Sequence, residues 1–166
     1  MKSTKHFKLT ELYGSSTASR LGINNAPESA EIEDNLIAAA QALLEPIRVH
    51  FGIPFSPQSG YRSDALERAI TWDKGFKSWC ARNKKPHNET SWPEYFGRKS
   101  HPRGEAFDIK IPGISTKALF DYMKANIKEF DQLIMENYDP SKPNSGWVHA
   151  SFSRTRNRKQ ILELTE

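Results

Sequence analysis

Residues 106–111 and 146–153 alternate between apolar and polar side chains, and no other feature of the chain constrains its fold as strongly. In the first stretch Phe107, Ile109 and Ile111 alternate with Ala106, Asp108 and Lys110. In the second, Val148, Ala150 and Phe152 make one face, and Trp147, His149 and Ser151 the other. A period of two is that of a strand with one buried face. The apolar sets must face a core, so each strand offers one metal-competent side chain on its other face, Asp108 and His149. Residues 130–136 lie between these strands. With Leu133 and Met135 turned to the core, Gln132, Ile134 and Glu136 face the same cleft.

The rest of the chain supplies helices to cover such a sheet. Between residues 29 and 51 apolar side chains fall at Leu36, Ala39, Ala40, Leu43, Leu44, Ile47 and Phe51, which is helical spacing with one buried face. Pro46 should kink or break this helix locally. Ser63 can cap a helix over residues 64–82, and Ser115 or Thr116 a third with Leu119, Phe120, Met123 and Ile127 inward. Residues 1–28 read as an arm packed on the domain, residues 83–99 as a long loop, and residues 139–145 as a turn. Ile161, Leu162 and Leu164 suggest a short docking helix at the end of the chain. Strands and helices alternate only partly. The expected class is α+β, a small antiparallel sheet flanked by helices, in one domain over residues 1–166.

Composition narrows the chemistry. Cys80 is the single cysteine, which excludes an internal disulfide framework and any multi-cysteine metal site. A metal would need histidine and carboxylate ligands. The net charge of +4 suits an anionic partner such as an acidic wall polymer. The basic residues do not interleave with aromatics in one stripe, so solvated surface is the better reading of them and nucleic acid is not an expected partner. Residues 1–10 carry lysines without an apolar run, and no stretch is long and apolar enough to span a bilayer. The expected product is a soluble monomer made in the cytoplasm, without membrane insertion.

Of the five histidines, His6, His50 and His87 read as structural or exposed. His101 stands seven positions before Asp108, with Gly104 between them to turn the chain. A catalytic zinc takes three protein ligands and leaves a fourth position to water, and two ligands from one stretch with one from a distant strand is a common layout. The spacing alone fits a surface histidine and a turn carboxylate equally well.

Three motifs in order resemble a known family. They are Ser59-Gly60-Tyr61-Arg62-Ser63, His101-Pro102-Arg103-Gly104-Glu105-Ala106-Phe107-Asp108 and Trp147-Val148-His149-Ala150-Ser151. Together they resemble the zinc D-alanyl-D-alanine carboxypeptidases and related phage endolysins, whose motif is His-x-x-Gly-x-Ala-x-Asp followed by a Trp-x-His strand. Phe7-Lys8-Leu9-Thr10-Glu11-Leu12 and residues 35–48, with Leu-Glu-Pro-Ile-Arg, resemble the phage-type branch. The resemblance covers most of the chain except residues 68–99, which look like an insertion.

The resemblance implies a Hedgehog/DD-peptidase-like fold and a Zn2+ ion held by His101, Asp108 and His149. It implies that Arg62 contacts the substrate or polarises its carbonyl, a role suited to a fork of donors that stays charged. Ser100, Gln132 and Trp147 are further side chains expected to meet substrate. The family places an acid three positions before the last histidine, or a second histidine two before it. Here those positions hold Gly146 and Trp147. Glu136 is the expected general base, on the neighbouring strand and on the cleft face; an edge carboxylate is the alternative, and Glu105 is a weaker candidate. Lys99 stands where the family has serine, and Ser100 can substitute.

The implied activity is hydrolysis of peptidoglycan stem peptides, at D-Ala-D-Ala or at L-Ala-D-Glu. A phage or prophage lysin, acting on the wall after release through a partner pore, fits that activity. Two other readings stand beside it: a non-catalytic zinc-containing module that binds wall peptide, and a virion component that digests wall locally. Trp79, Trp92, Tyr95 and Phe96 of the insertion either cover a substrate as a lid or pack as a small satellite core.

Overall fold

Serine side chains cap four of the described helices. The computed structural model describes residues 2–164. The N-terminal arm folds into α1 (Leu9–Leu12) and α2 (Ser16–Leu21), the latter capped by the Ser15 side chain. Phe7, Leu9 and Leu12 are buried in the main core, so the arm packs as expected. Ser29 caps α3 (Ala30–Ala39), which continues through a π-helical segment, Ala40–Leu44, into α4 (Glu45–Phe51). Pro46 lies in the first turn of α4. A proline there lacks the N–H that would bond four residues back, and its ring crowds that carbonyl. The wider π turn just before it absorbs the mismatch, so the helix is reshaped without ending.

Ser63 caps α5 (Asp64–Thr71), which passes through a second π segment, Trp72–Phe76, into α6 (Lys77–Arg82). The 83–99 stretch differs from a plain loop: it contains α7 (Trp92–Gly97). Pro93 sits in the first turn of α7, where its missing N–H costs nothing. Phe76, Trp79, Cys80, Trp92 and Tyr95 make a second hydrophobic cluster, separate from the main one. The aromatics of the insertion therefore pack on one another as a satellite core.

The sheet has four strands in the order β1–β3–β2–β4. They are β1 (Ala106–Ile109), β2 (Gln132–Glu136), β3 (Trp147–Ser151) and β4 (Gln160–Leu164). Ser115 caps α8 (Thr116–Asn126), between β1 and β2. β3 pairs antiparallel with both β1 and β2, while β4 runs parallel to β2. The class is the expected α+β with a helix-flanked sheet. The tail corrects the expected docking helix: it is an edge strand. Spacing of Ile161, Leu162 and Leu164 suits a helix locally, but β2 has an open edge whose backbone groups need partners. The inward residues Phe107, Leu133, Val148 and Ala150 share the main core with Leu36, Leu43 and Ile47 of the kinked helix and Phe120 of α8. Apart from Ala150, each of these buried side chains contributes about 1.5–3 kcal/mol. The opposite face of the sheet is left to the cleft.

Candidate metal centre

Register brings the first two site residues together. Asp108 of β1 pairs directly with His149 of β3, and directly paired residues share a sheet face. His101 arrives from a 3₁₀ turn, His101–Arg103, immediately before β1. Gly104 closes that turn in the left-handed region, φ +72°, donating its N–H to the His101 carbonyl at 3.0 Å. A side chain there would be strained, so the glycine lets His101 fold back over the strand.

One ligand-capable atom each from His101, Asp108 and His149 lies within 4.8 Å of the other two, a group that could hold a metal ion. Asp108 Oδ1 is 3.1 Å from His149 Nδ1 and 3.4 Å from His101 Nε2. His101 Nδ1 is 2.7 Å from the Gly60 carbonyl. A carbonyl only accepts, so Nδ1 carries the proton and the Nε2 lone pair faces the other two groups. The three residues are 6 %, 9 % and 9 % exposed, respectively. Burial pushes the His101 imidazole below its ordinary range, more than Asp108 pulls it up, which keeps the ring neutral and ligand-ready at pH 7. Burial also pushes the Asp108 carboxyl up, but the two histidines outweigh it and hold the group well below the usual carboxylate range. Two neutral-capable nitrogens and one carboxylate oxygen form a donor set that suits zinc.

Residues 58–62 are stitched along the outer edge of β1. The Asp108 N–H donates to the Ser59 carbonyl at 2.8 Å, and the Gln58 N–H to the Asp108 carbonyl at 2.9 Å. This places Arg62 beside the site. Its Nη2 donates to Asp108 Oδ2 at 3.1 Å, Nη1 to Glu67 Oε2 at 3.3 Å and Nε to Ser59 Oγ at 3.0 Å. Glu67 is 1 % exposed. A buried carboxylate thus fixes an arginine that fixes Asp108, leaving Asp108 Oδ1 to the histidines. Sequence reasoning missed Glu67 and Ser59. Glu67 falls on the inward face of α5 next to Leu66, and a charged residue there signals a buried partner.

A cleft of about 400 Å³ opens over the group. Arg62, Ser100, Gln132, Glu136 and Trp147 all line it with the three candidate ligands, as do Arg98 and Lys99 from the end of the insertion. The structure therefore brings together every site residue expected from the sequence. Gln132 is held by a 2.6 Å bond from its amide nitrogen to Gln160 of β4. The buried Trp147 Nε1 has no acceptor among the described residues. Burial pushes the Glu136 carboxyl above its usual range; His149, Arg62 and Lys99 oppose that, and Asp108 adds to it. Glu105 instead pairs with Arg103 at 3.2 Å and does not line the cleft.

Gly146 explains the departure three positions before His149. It has φ +65°, and a Cβ there would lie 2.1 Å from the Glu136 carbonyl oxygen. No acid can occupy that position in this backbone. The same close approach sets Trp147 opposite Glu136 in the strand register. The other histidines have structural partners: His6 with Glu45 at 2.6 Å, His50 stacked on Tyr122 and His87 on the Trp72 carbonyl at 2.7 Å.

Residues 5–72 match the model of the family described as Peptidase M15. The match spans less than half of the chain, includes Ser59 and Arg62, and ends before His101. Neither a curated protein nor a solved structure matches the chain. No helix of the described residues is long and apolar enough to cross a membrane.

Proposed function

We propose that the chain is a zinc peptidase that hydrolyses peptidoglycan stem peptides, with His101, Asp108 and His149 as metal ligands. The observation that carries this reading is the convergence of those three buried side chains at the floor of an open cleft. The Peptidase M15 match over residues 5–72 supports the reaction class. A zinc ion held there supplies Lewis-acid polarisation of a scissile carbonyl and acidifies water.

The side chains divide the remaining work. Glu136 takes a proton from the attacking water and returns it to the leaving amine. The water oxygen ends on the carbonyl carbon as the C–N bond breaks. A carboxyl whose pKa is raised by burial suits both halves of that exchange. Arg62 spends three N–H groups on Ser59, Glu67 and Asp108. Guanidinium has five, so two remain to meet charge developing on the substrate carbonyl. Trp147 offers an unpaired indole donor, and Ser100 and Gln132 line the walls. A monomer is the assembly proposed for it. A positive net charge favours encounter with an anionic wall, and release during phage lysis or carriage on a virion are the settings proposed for it.

The test is digestion of purified muropeptides with and without chelator, read by mass spectrometry. Loss of a terminal alanine identifies a carboxypeptidase, and a cut after the first alanine an endopeptidase. Either must vanish with chelator and in His149→Ala. Zinc bound at one per chain without cleavage would favour a non-catalytic wall-binding module instead.

A further inference from the structure

We infer that Lys99, supplied by the end of the insertion, binds the α-carboxylate of the residue that leaves with the amine. This rests on the peptidase reading above and assigns the site a specificity residue. Three cations line the cleft: Arg62, Arg98 and Lys99. Arg62 already faces two carboxylates, Glu67 and Asp108. Arg98 pairs with Glu94 at 3.2 Å. Lys99 pairs with no carboxylate among the described residues, although it is half-buried. Its ammonium rests 4.5 Å from the centre of the Tyr95 ring. Tyr95 is in turn fixed by Phe76, Trp79 and Trp92, with ring centres 5.1, 5.7 and 5.5 Å away, respectively. The satellite core thus holds a cation at the cleft wall on a rigid aromatic platform, and leaves its charge unmatched.

The chemistry of both candidate bonds supplies the anion. In D-Ala-D-Ala the leaving residue ends in a free α-carboxylate. In L-Ala-D-Glu the glutamate continues through its γ-carbon, so its α-carboxylate is again free. In either case that carboxylate sits on the carbon bonded to the scissile nitrogen. The nitrogen must approach Glu136 to receive its proton, and Lys99 lines the same cleft as Glu136. The anion is therefore delivered to the wall where Lys99 stands. Arg62 keeps its place beside Asp108 and serves the carbonyl.

The experiment compares two peptides at the bond the wild type cuts: one with the free α-carboxylate on the leaving residue and one with an α-carboxamide there. Zinc-loaded wild type should prefer the carboxylate in kcat/KM by roughly tenfold to a hundredfold, the range of a charge-assisted hydrogen bond. Lys99→Met should lose that preference through KM, and Lys99→Arg should keep most of it. In an NMR titration, which needs no turnover, the free leaving amino acid should bind wild type more tightly than Lys99→Met. A Lys99→Met enzyme that keeps the preference overturns the inference. So does one that slows on both peptides equally, since Lys99 would then act on Glu136 or on the fold. A wild type that cleaves neither peptide overturns the peptidase reading itself.

Discussion

The sheet and the satellite cluster both engage polar side chains, and they use them differently. In the satellite region polar groups serve packing: Arg68 lies 4.6 Å over the Trp92 ring, and Trp92 Nε1 donates to Asp64 at 2.8 Å. Against the sheet, Asp108 and His149 of its strands join His101, Arg62 and Glu67 from neighbouring elements in a connected network at the floor of a cleft. Burying so many ionisable groups is costly unless each is paired, and here each has a partner in the network. Only at its end does the satellite region reach the cleft, through Arg98 and Lys99. The strands and the turn before β1 supply the floor of the cleft, and the end of the insertion supplies part of its wall.

Three substitutions test that division, in order of their effect on turnover. Glu136→Gln should lower hydrolysis by about 10²–10⁴, the usual worth of a general base, with zinc content unchanged. Unchanged slow turnover in that variant would place the protein with non-catalytic modules. Glu67→Gln removes the charge that fixes Arg62, and so loosens Asp108 at one remove. Zinc affinity should weaken by about tenfold, the lower end for groups that orient ligands, as read by competition with a chelating dye. Full affinity would show that Asp108 is held by the histidines alone. Phe76→Leu lies wholly in the satellite core. It should lower thermal stability by about 1 kcal/mol and leave zinc content and hydrolysis of the carboxamide peptide unchanged. Loss of zinc there would erase the distinction between the two regions.

Much of the site was legible because a period of two is a local signal. Alternation in residues 106–111 and 146–153 put Asp108 and His149 on one face, and alternation in β2 put Glu136 on the cleft side. Register then had to agree, and it does: Asp108 pairs with His149, and Ile134 pairs with His149 from the other flank. What stayed hidden depends on partners far away in sequence. The parallel pairing of β4 is decided by the open edge of β2, not by anything within Gln160–Leu164. α7 was hidden because proline reads as a breaker unless its place in the first turn is known. Glu67 was hidden because its meaning lies in Arg62, across the helix cap. Gly146 appeared as a missing acid, and its backbone shows why none fits.

The most direct test of the account is the zinc content of the purified, dialysed protein and of three single variants, His101→Ala, Asp108→Ala and His149→Ala, by elemental analysis. The account predicts one zinc per wild-type chain and almost none in each variant, with the folded state confirmed by circular dichroism. A folded variant that keeps its zinc, or a wild type that binds none, would contradict it.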